Sequence, residues 1–444
     1  MTTELMAAWQ RTVRRRNNDR AVSEALSGQS VTFGELAMRA RAWLADHGGD
    51  LARLRRRLVV FAAPNGMAWF AQFVGLMEAG AVVVPLDAAE PVAGQRELAA
   101  ALGAGFWWDG RRLIALPGAK RERSTEVCLI KMTSGTTTAP RPLRFTGGQL
   151  LADARQVTHT MGVTARDLNY ALIPLGHSYG LGNLTIPLLA QGVPLVCGAS
   201  ALPHAIAADF ARWRPTVFPG VPAMWRALSG SDLTLDSLRL AISAGADLPP
   251  EVARQFAERF SCPLHNFYGS SETGGIAYDR SGRATLAGRV GKALRGVTLK
   301  QLPRSRLVVS SSAVVTFGRR PTLHGPNAWV MADRVLLSPE GEVTLLGRRG
   351  ATVKIGARRV SLTEVVARLR RLPGVKDAWV GITSGSEPVL GAVVATKSTA
   401  AALRQGLHAD TAPWKIPKKF VVVTDLPLNE RGKPDTRALQ AMIT

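Results

Sequence analysis

Apolar and polar positions along the first 125 residues switch between two periods. The stretch "TFGELAMRARAWLADHG" places apolar residues at helical spacing and stops at Gly48 and Gly49. "RRLVVFAA" is a short β-rich run, "MAWFAQFVGLMEAG" is helical again, and "AVVVPLD" reads as a buried strand. Strand, helix, strand at this spacing predicts a parallel sheet with crossover helices. After residue 126 the rhythm resumes: "EVCLIKM", "LNYALIPL", "PLVCG" and "LRLAISAG" as strands, "GGQLLADARQVTHTM", "HAIAADFARWR" and "PPEVARQFAERF" as helices. Two doubly wound α/β blocks are expected, about 1–125 and 126–285. From 286 the runs shorten ("RLVVSSSAVVTF", "AWVMADRVLLS", "EVTLLGRRG"), which predicts a small β-rich subdomain over 286–347. A separate small α+β domain follows over 351–444. Its first helix starts at Ser361, with Glu364 three residues on, a capping-box pattern.

Composition supports packed domains: of 444 residues, 46% are hydrophobic and 20% charged. Cys128, Cys197 and Cys262 lack C-x-x-C spacing, which argues against a disulfide framework or a zinc site and suits a reducing cytoplasm. The apolar region 58–86 is broken by Pro64, Asn65 and Gly66 and carries Glu78, so it reads as strand, helix and strand rather than a membrane span. Residues 1–20 show no secretory signal. The net charge of +23 is either compositional drift or a match to an acidic partner. The arginine clusters are dispersed and not interleaved with aromatics, so no specific nucleic-acid module is expected.

Two stretches carry chemistry. In "LIKMTSGTTTAPRPL" (129–143) a β-like run empties into hydroxyls around a glycine. Free backbone torsions and exposed N–H groups there make a phosphate cradle, though not the Walker loop, which needs G-x-x-x-x-G-K-[ST]. In "LIPLGHSYGLG" (172–182), Gly176 to Gly180 fit G-x-S-x-G, the serine nucleophile elbow. A hydrolase using Ser178 would also need an acid and a later histidine. His204, His265, His324 and His408 follow, none in a recognisable local context.

The phosphate cradle resembles that of adenylate-forming (AMP-binding) enzymes, usually T-S-G-T-T-G-x-P-K-G. The family includes acyl- and aryl-CoA ligases and the adenylation domains of peptide synthetases. Further segments resemble its motifs in order: "MEAGAVVVPLD" (77–87), "PLGHSYGLG" (174–182), "VFPGVPAMW" (217–225), "ISAGADLP" (242–249), "NFYGSSETG" (266–274), "GRVGKALRG" (288–296), Asp333, "LLGRRGATVKIGARRVSLTEV" (345–365) and "LPLNERGKPDTRAL" (426–439). The resemblance runs from about 31 to 440 and accounts for far more of the chain than a hydrolase elbow does.

The resemblance implies an N-terminal domain (1–347), a hinge (348–350, with Gly350) and a C-terminal lid (351–444). It implies activation of a carboxylic acid by ATP, with pyrophosphate release, then transfer to the thiol of CoA or of a carrier protein's phosphopantetheine. Thr133, Ser134, Gly135, Thr136, Thr137 and Arg141 would face phosphates. Ser243, Ala244, Gly245, Ala246, Asn266, Phe267, Tyr268, Gly269, Ser270 and Ser271 would border the nucleotide. Asp333 would accept from ribose hydroxyls and Arg348 would reach ribose or phosphate. Glu272 would hold Mg2+, and Lys433 would bridge carboxylate and α-phosphate. His177, Tyr179, Val221, Pro222, Met224 and Phe267 would line the acyl pocket, and Gly176 would leave room for a longer or wider acid. Lys354, Gly356, Arg358 and Arg359 would face the thiol, any acidic carrier arriving in trans.

The chain departs from the pattern at Thr138, Arg141, Pro142, Ser271 and Ala332. Arg141 keeps the charge but offers a planar fork instead of a point ammonium; Pro142 removes an N–H donor. The altered loop motivates a second reading, a non-catalytic relative that binds nucleotide or acyl-adenylate. The resemblance implies that amino-acid-activating members would carry an aspartate near this segment to pair the substrate ammonium; none stands at 174–180, so fatty or aromatic acids are expected over α-amino acids.

Overall fold

Every residue of Val82–Leu86 is buried, as a continuous apolar run between helix-covered faces requires. The computed structural model describes residues 3–47, 49, 51–117, 121–133, 141–246, 248–317, 323–348, 352–355, 358–385, 387–427 and 435–444. Val82–Leu86 belongs to a six-stranded sheet ordered Leu113–Ala115, Phe106–Trp108, Leu58–Ala62, Val82–Leu86, Val127–Thr133, Arg141–Thr146. Its four inner strands are parallel.

A nine-stranded sheet runs Lys292–Ala293, Gly274–Tyr278, Leu264–Ser270, Leu240–Ser243, Val217–Gly220, Asn169–Ala171, Leu195–Cys197, Arg20–Glu24, Ser30–Thr32. The stretch from Leu264–Ser270 through Arg20–Glu24 is parallel. Antiparallel strands close both edges. The α/β class read from the sequence therefore holds. The division at 125/126 does not follow the strand pairing. Arg20–Glu24 joins Leu195–Cys197 in the second sheet, and Val127–Thr133 joins Val82–Leu86 in the first. Periodicity reports that a segment is a strand, not which distant partner it takes.

Thr298–Leu302, Arg306–Ser310, Ala328–Leu337 and Val343–Arg348 form the four-stranded β-rich sheet. The chain divides into two compact units: Met1–Ala88, Ala99–Met132 and Pro142–Gly347 make the first, and Arg348–Thr444 with 89–98 and 133–141 make the second. The second holds the hairpin Thr352–Ile355 with Arg358–Ser361, and a sheet of Val375–Ile382, Leu390–Thr396 and Lys419–Val423.

Local chemistry starts the helices. Thr146 caps Gly147–Met161 in a full capping box with Gln149, and Gly162 closes it in the left-handed region. Ser361 Oγ accepts from the Glu364 amide as expected, while the Glu364 carboxylate meets Lys415 at 3.1 Å and Arg368 at 3.3 Å. A carboxylate from outside the helix caps Met67–Glu78: Glu24 Oε1 accepts from the Met67 amide at 2.8 Å. No described helix is long and apolar enough to cross a membrane.

Candidate active site

The parallel register aligns three of the motif segments. Gly220 pairs with Ser243, and Ser243 with Asn266, so one row crosses the strands near their carboxyl ends. In open α/β sheets ligands collect outside those ends. Ser243 is fully buried, and its hydroxyl has no hydrogen-bond partner among the described residues. Ala244 is buried, and Gly245 takes φ +93°, a conformation that favours glycine. Ala246 is half-buried beside it.

Beyond the row, the "NFYGSSETG" segment divides its polar groups between fold and site. The Asn266 amide side chain donates to the Arg289 carbonyl at 3.3 Å, a bond within the scaffold. Phe267 is core, packed against Tyr179 with centroids 6.0 Å apart. Tyr268 donates to Asp333 Oδ2 at 2.6 Å. Gly269 lies so close to Gly274 that an added Cβ would stand 3.0 Å from its carbonyl oxygen. Ser270 Oγ accepts from the amides of Glu272 and Thr273, at 3.2 and 3.3 Å. Its hydroxyl thus shapes the turn that presents Glu272.

The G-x-S-x-G match is explained by packing. Gly180 is required because an added Cβ would stand 2.0 Å from the Pro174 carbonyl oxygen. At Gly176 it would stand 2.8 Å from Pro85 Cβ, so a side chain at 176 would run into Pro85. Ser178 donates to Ser271 Oγ at 2.8 Å, not to a histidine. His177 stands at the N-cap position of the short helix that begins at Ser178 and is half-buried. The Tyr179 hydroxyl reaches the carbonyls of Gly220 and Ile242, both at 3.3 Å, and burial pushes its ionisation well up. Its ring can line a pocket, but its hydroxyl is held by the row. Val221 and Pro222 are buried at the start of Pro222–Ser229, while Met224 packs with Trp225 in a different cluster from Tyr179 and Phe267.

Sequence reasoning missed a buried charge group in the first unit. Lys131 is 3% exposed, with its ammonium 4.3 Å from the Phe145 ring centroid. Burial pushes the Lys131 ammonium down in pKa, opposed by Asp153 and then Glu272. Asp153, also buried, accepts from the Gly275 amide at 2.9 Å. A lysine inside the apolar run "VCLIKM" was the available signal. Also unforeseen is a groove of about 540 Å³ at strand carboxyl ends, lined by Glu24, Asn65, Trp69, Asp87, Leu172 and the Gly176 backbone among others. Tyr179, Val221, Pro222, Met224 and Phe267 do not line it. The three cysteines are buried, and burial raises each thiol, Cys128 to about 12, so none is poised as a nucleophile.

Within the second unit, the Thr133 hydroxyl donates to the Arg141 carbonyl at 3.5 Å and Arg141 is exposed. Arg348 ends its strand; its side chain lies outside the described residues. Lys354 and Arg359 pair across the hairpin, and the Arg358 guanidinium lies 3.8 Å from the Trp414 ring centroid. Ser134, Gly135, Thr136, Thr137, Thr138, Gly350, Gly356 and Lys433 lie outside the described residues.

Comparison with known proteins fits this layout. Residues 90–308 match the family model "AMP-binding enzyme". The 2-hydroxy-7-methoxy-5-methyl-1-naphthoate–CoA ligase of Streptomyces carzinostaticus is 27% identical over 72% of this chain and 63% of that ligase. The feruloyl-CoA synthase of an Amycolatopsis species is 25% identical over 95% of both chains. Among solved structures, the o-succinylbenzoate CoA synthetase MenE of Bacillus subtilis superposes with a TM-score of 0.84 at 20% identity, covering 98% of each chain. Motif order, the aligned strand ends and these similarities agree: residues 90–308 carry the AMP-binding enzyme domain, and the chain resembles CoA ligases on both sides of it.

Proposed function

We propose that the chain activates an aromatic carboxylic acid with ATP, releases pyrophosphate, and passes the acyl group from the adenylate to a pantetheine thiol. The observation that carries this reading is the single row Gly220, Ser243, Asn266, with the Tyr268–Asp333 bond on the same strand as Asn266 and the Glu272 turn at that strand's end. Acid-side and nucleotide-side segments would thereby meet at the carboxyl ends of neighbouring strands of one sheet.

The chemistry requires two anions to meet, so the site must align a carboxylate with the α-phosphorus and neutralise charge as the bond forms. Asp333 would accept from ribose hydroxyls. Thr133 to Thr137 and Arg141 would hold the leaving phosphates, with Arg348 beside them. Lys433 would bridge the acid and the α-phosphate. Glu272, presented by the turn that Ser270 holds, is the carboxylate that would hold Mg2+ beside the phosphate oxygens. When bound, the ion would draw charge off the phosphate oxygens.

His177, Tyr179, Val221, Pro222, Met224 and Phe267 would border the acid, and the names of both relatives support an aromatic one. Lys354, Gly356, Arg358 and Arg359 would face the acceptor. CoA and an acidic carrier protein present the same thiol; the first is supported by the relatives' names, the second by the charge of +23.

The test is pyrophosphate release across a panel of aromatic and fatty acids, with mass identification of the thioester formed from CoA or a phosphopantetheinylated carrier. Lys433→Ala should abolish adenylate formation. ATP binding with no acid-dependent pyrophosphate from any acid would instead establish a non-catalytic nucleotide binder.

A further inference from the structure

We propose that Ser178 is a positioning residue for the nucleotide: its O–H donates to Ser271 Oγ and thereby turns the Ser271 hydrogen outward, toward a phosphate oxygen. The inference rests on the nucleotide reading above and adds a residue to it.

The bond is 2.8 Å long and joins side chains 93 positions apart. Both ends are held in place. Ser178 opens a continuous helical segment whose three parts are Ser178–Gly180, the wider π turn Leu181–Thr185, and Ile186–Gln191. Pro187 has no N–H to give the turn before it, which accounts for the wider winding. Leu181, Leu184, Leu188 and Leu189 are fully buried and anchor the segment. Gly180 stands against the Pro174 carbonyl, so the backbone at 178 has no freedom to drift. On the other side, Ser270 ties down the turn through the Glu272 and Thr273 amides.

A serine hydroxyl has one hydrogen to give and two lone pairs to receive. Among the described residues, Ser271 Oγ has one partner, Ser178, which acts as the donor. The Ser271 hydrogen is therefore available, and a hydroxyl that is itself accepting gives a stronger bond, because chained hydrogen bonds polarise one another. Its neighbour Glu272 is the carboxylate assigned to Mg2+, so the available hydrogen lies beside the phosphates that such an ion would bring. Ser178 touches no substrate in this arrangement. It fixes the direction of a group that does, and it links the helix carrying His177 and Tyr179 to the nucleotide turn.

The experiment uses the full chain without any acid and measures binding of a non-hydrolysable ATP analogue with Mg2+ by calorimetry. A neutral hydrogen bond contributes about 0.5–1.5 kcal/mol, so Ser178→Ala should weaken binding about three- to tenfold. Ser271→Ala should weaken it at least as much. The double variant should be no weaker than Ser271→Ala alone, because Ser178 acts only through Ser271. Ser178→Thr, which keeps the hydroxyl, should recover most of the affinity, and unfolding midpoints should match across the set. Wild-type affinity in Ser178→Ala, or multiplicative losses in the double variant, would overturn the proposal. A wild-type chain that does not bind the analogue would overturn the nucleotide reading and this inference together, whereas binding without acid-dependent turnover would leave it standing.

Discussion

Tyr268→Phe removes a single oxygen and tests how the site is held to the scaffold. The Tyr268 hydroxyl lies 2.6 Å from Asp333 Oδ2, the two residues being 3% and 9% exposed. Water therefore has little access to replace the lost donor. Hydrogen bonds to charged groups are worth about 1.5–3 kcal/mol, and a carboxylate left short of a donor pays its full desolvation cost. Tyr170→Phe supplies the matched control. That hydroxyl also lies 2.6 Å from a carboxylate, Asp209, but Asp209 is half-buried and water can take over. The control should cost about 0.5–1.5 kcal/mol. Denaturant titration measures both, with hydrogen exchange in Leu264–Ser270 and Ala328–Leu337 as the local readout, because a chain of two units need not unfold in one step. Faster exchange in those two strands and a larger loss for Tyr268→Phe are expected. Equal losses with unchanged exchange would refute the idea that burial makes this bond the stronger one.

Lys131→Met should destabilise the first unit by taking the positive charge away from buried Asp153, and Lys131→Met with Asp153→Asn should recover most of that loss in the same titration. Burial pushes the Asp167 carboxyl up, but Arg239, the Thr164 amide and the Thr216 hydroxyl outweigh it and hold the group below its ordinary value. Its contribution is thus present above the unfolded value near 3.9 and lost as pH falls through the lower folded one. Asp167→Asn should flatten the stability profile between about pH 5 and pH 2, measured by thermal unfolding. Gly180→Ala should prevent normal folding or cost about 3 kcal/mol or more, since the new carbon would meet a backbone oxygen; soluble yield and circular dichroism read this out.

Much of this molecule can be read from its letters, and the limits are physical. Helices Phe33–His47, Met67–Glu78 and Pro250–Phe260 follow from spacing within each stretch, and the buried run at 82–86 from its composition. Site segments were legible because hydroxyls, glycines and acids recur at fixed offsets. What failed was long-range. Nothing within "RAVSE" indicates that Arg20–Glu24 pairs with Leu195–Cys197 rather than with the first sheet. Asn266 falls in a nucleotide motif, yet its amide serves Arg289, and only the fold shows that carbonyl within reach. A side chain at 176 would meet Pro85, a neighbour that no local pattern around Gly176 names. The Thr146–Gln149 capping box, by contrast, stands in the letters T-G-G-Q just ahead of the apolar pattern.

The placement of Arg20–Glu24 also bears on how the chain is made. A ribosome completes this strand long before its neighbour Leu195–Cys197 exists, so the early segment must wait with an open edge for some 170 residues of synthesis. Truncating the N-terminus would not trim a tail; it would strip the outermost two strands from the nine-stranded sheet and expose the backbone of Leu195–Cys197 to unwanted pairing.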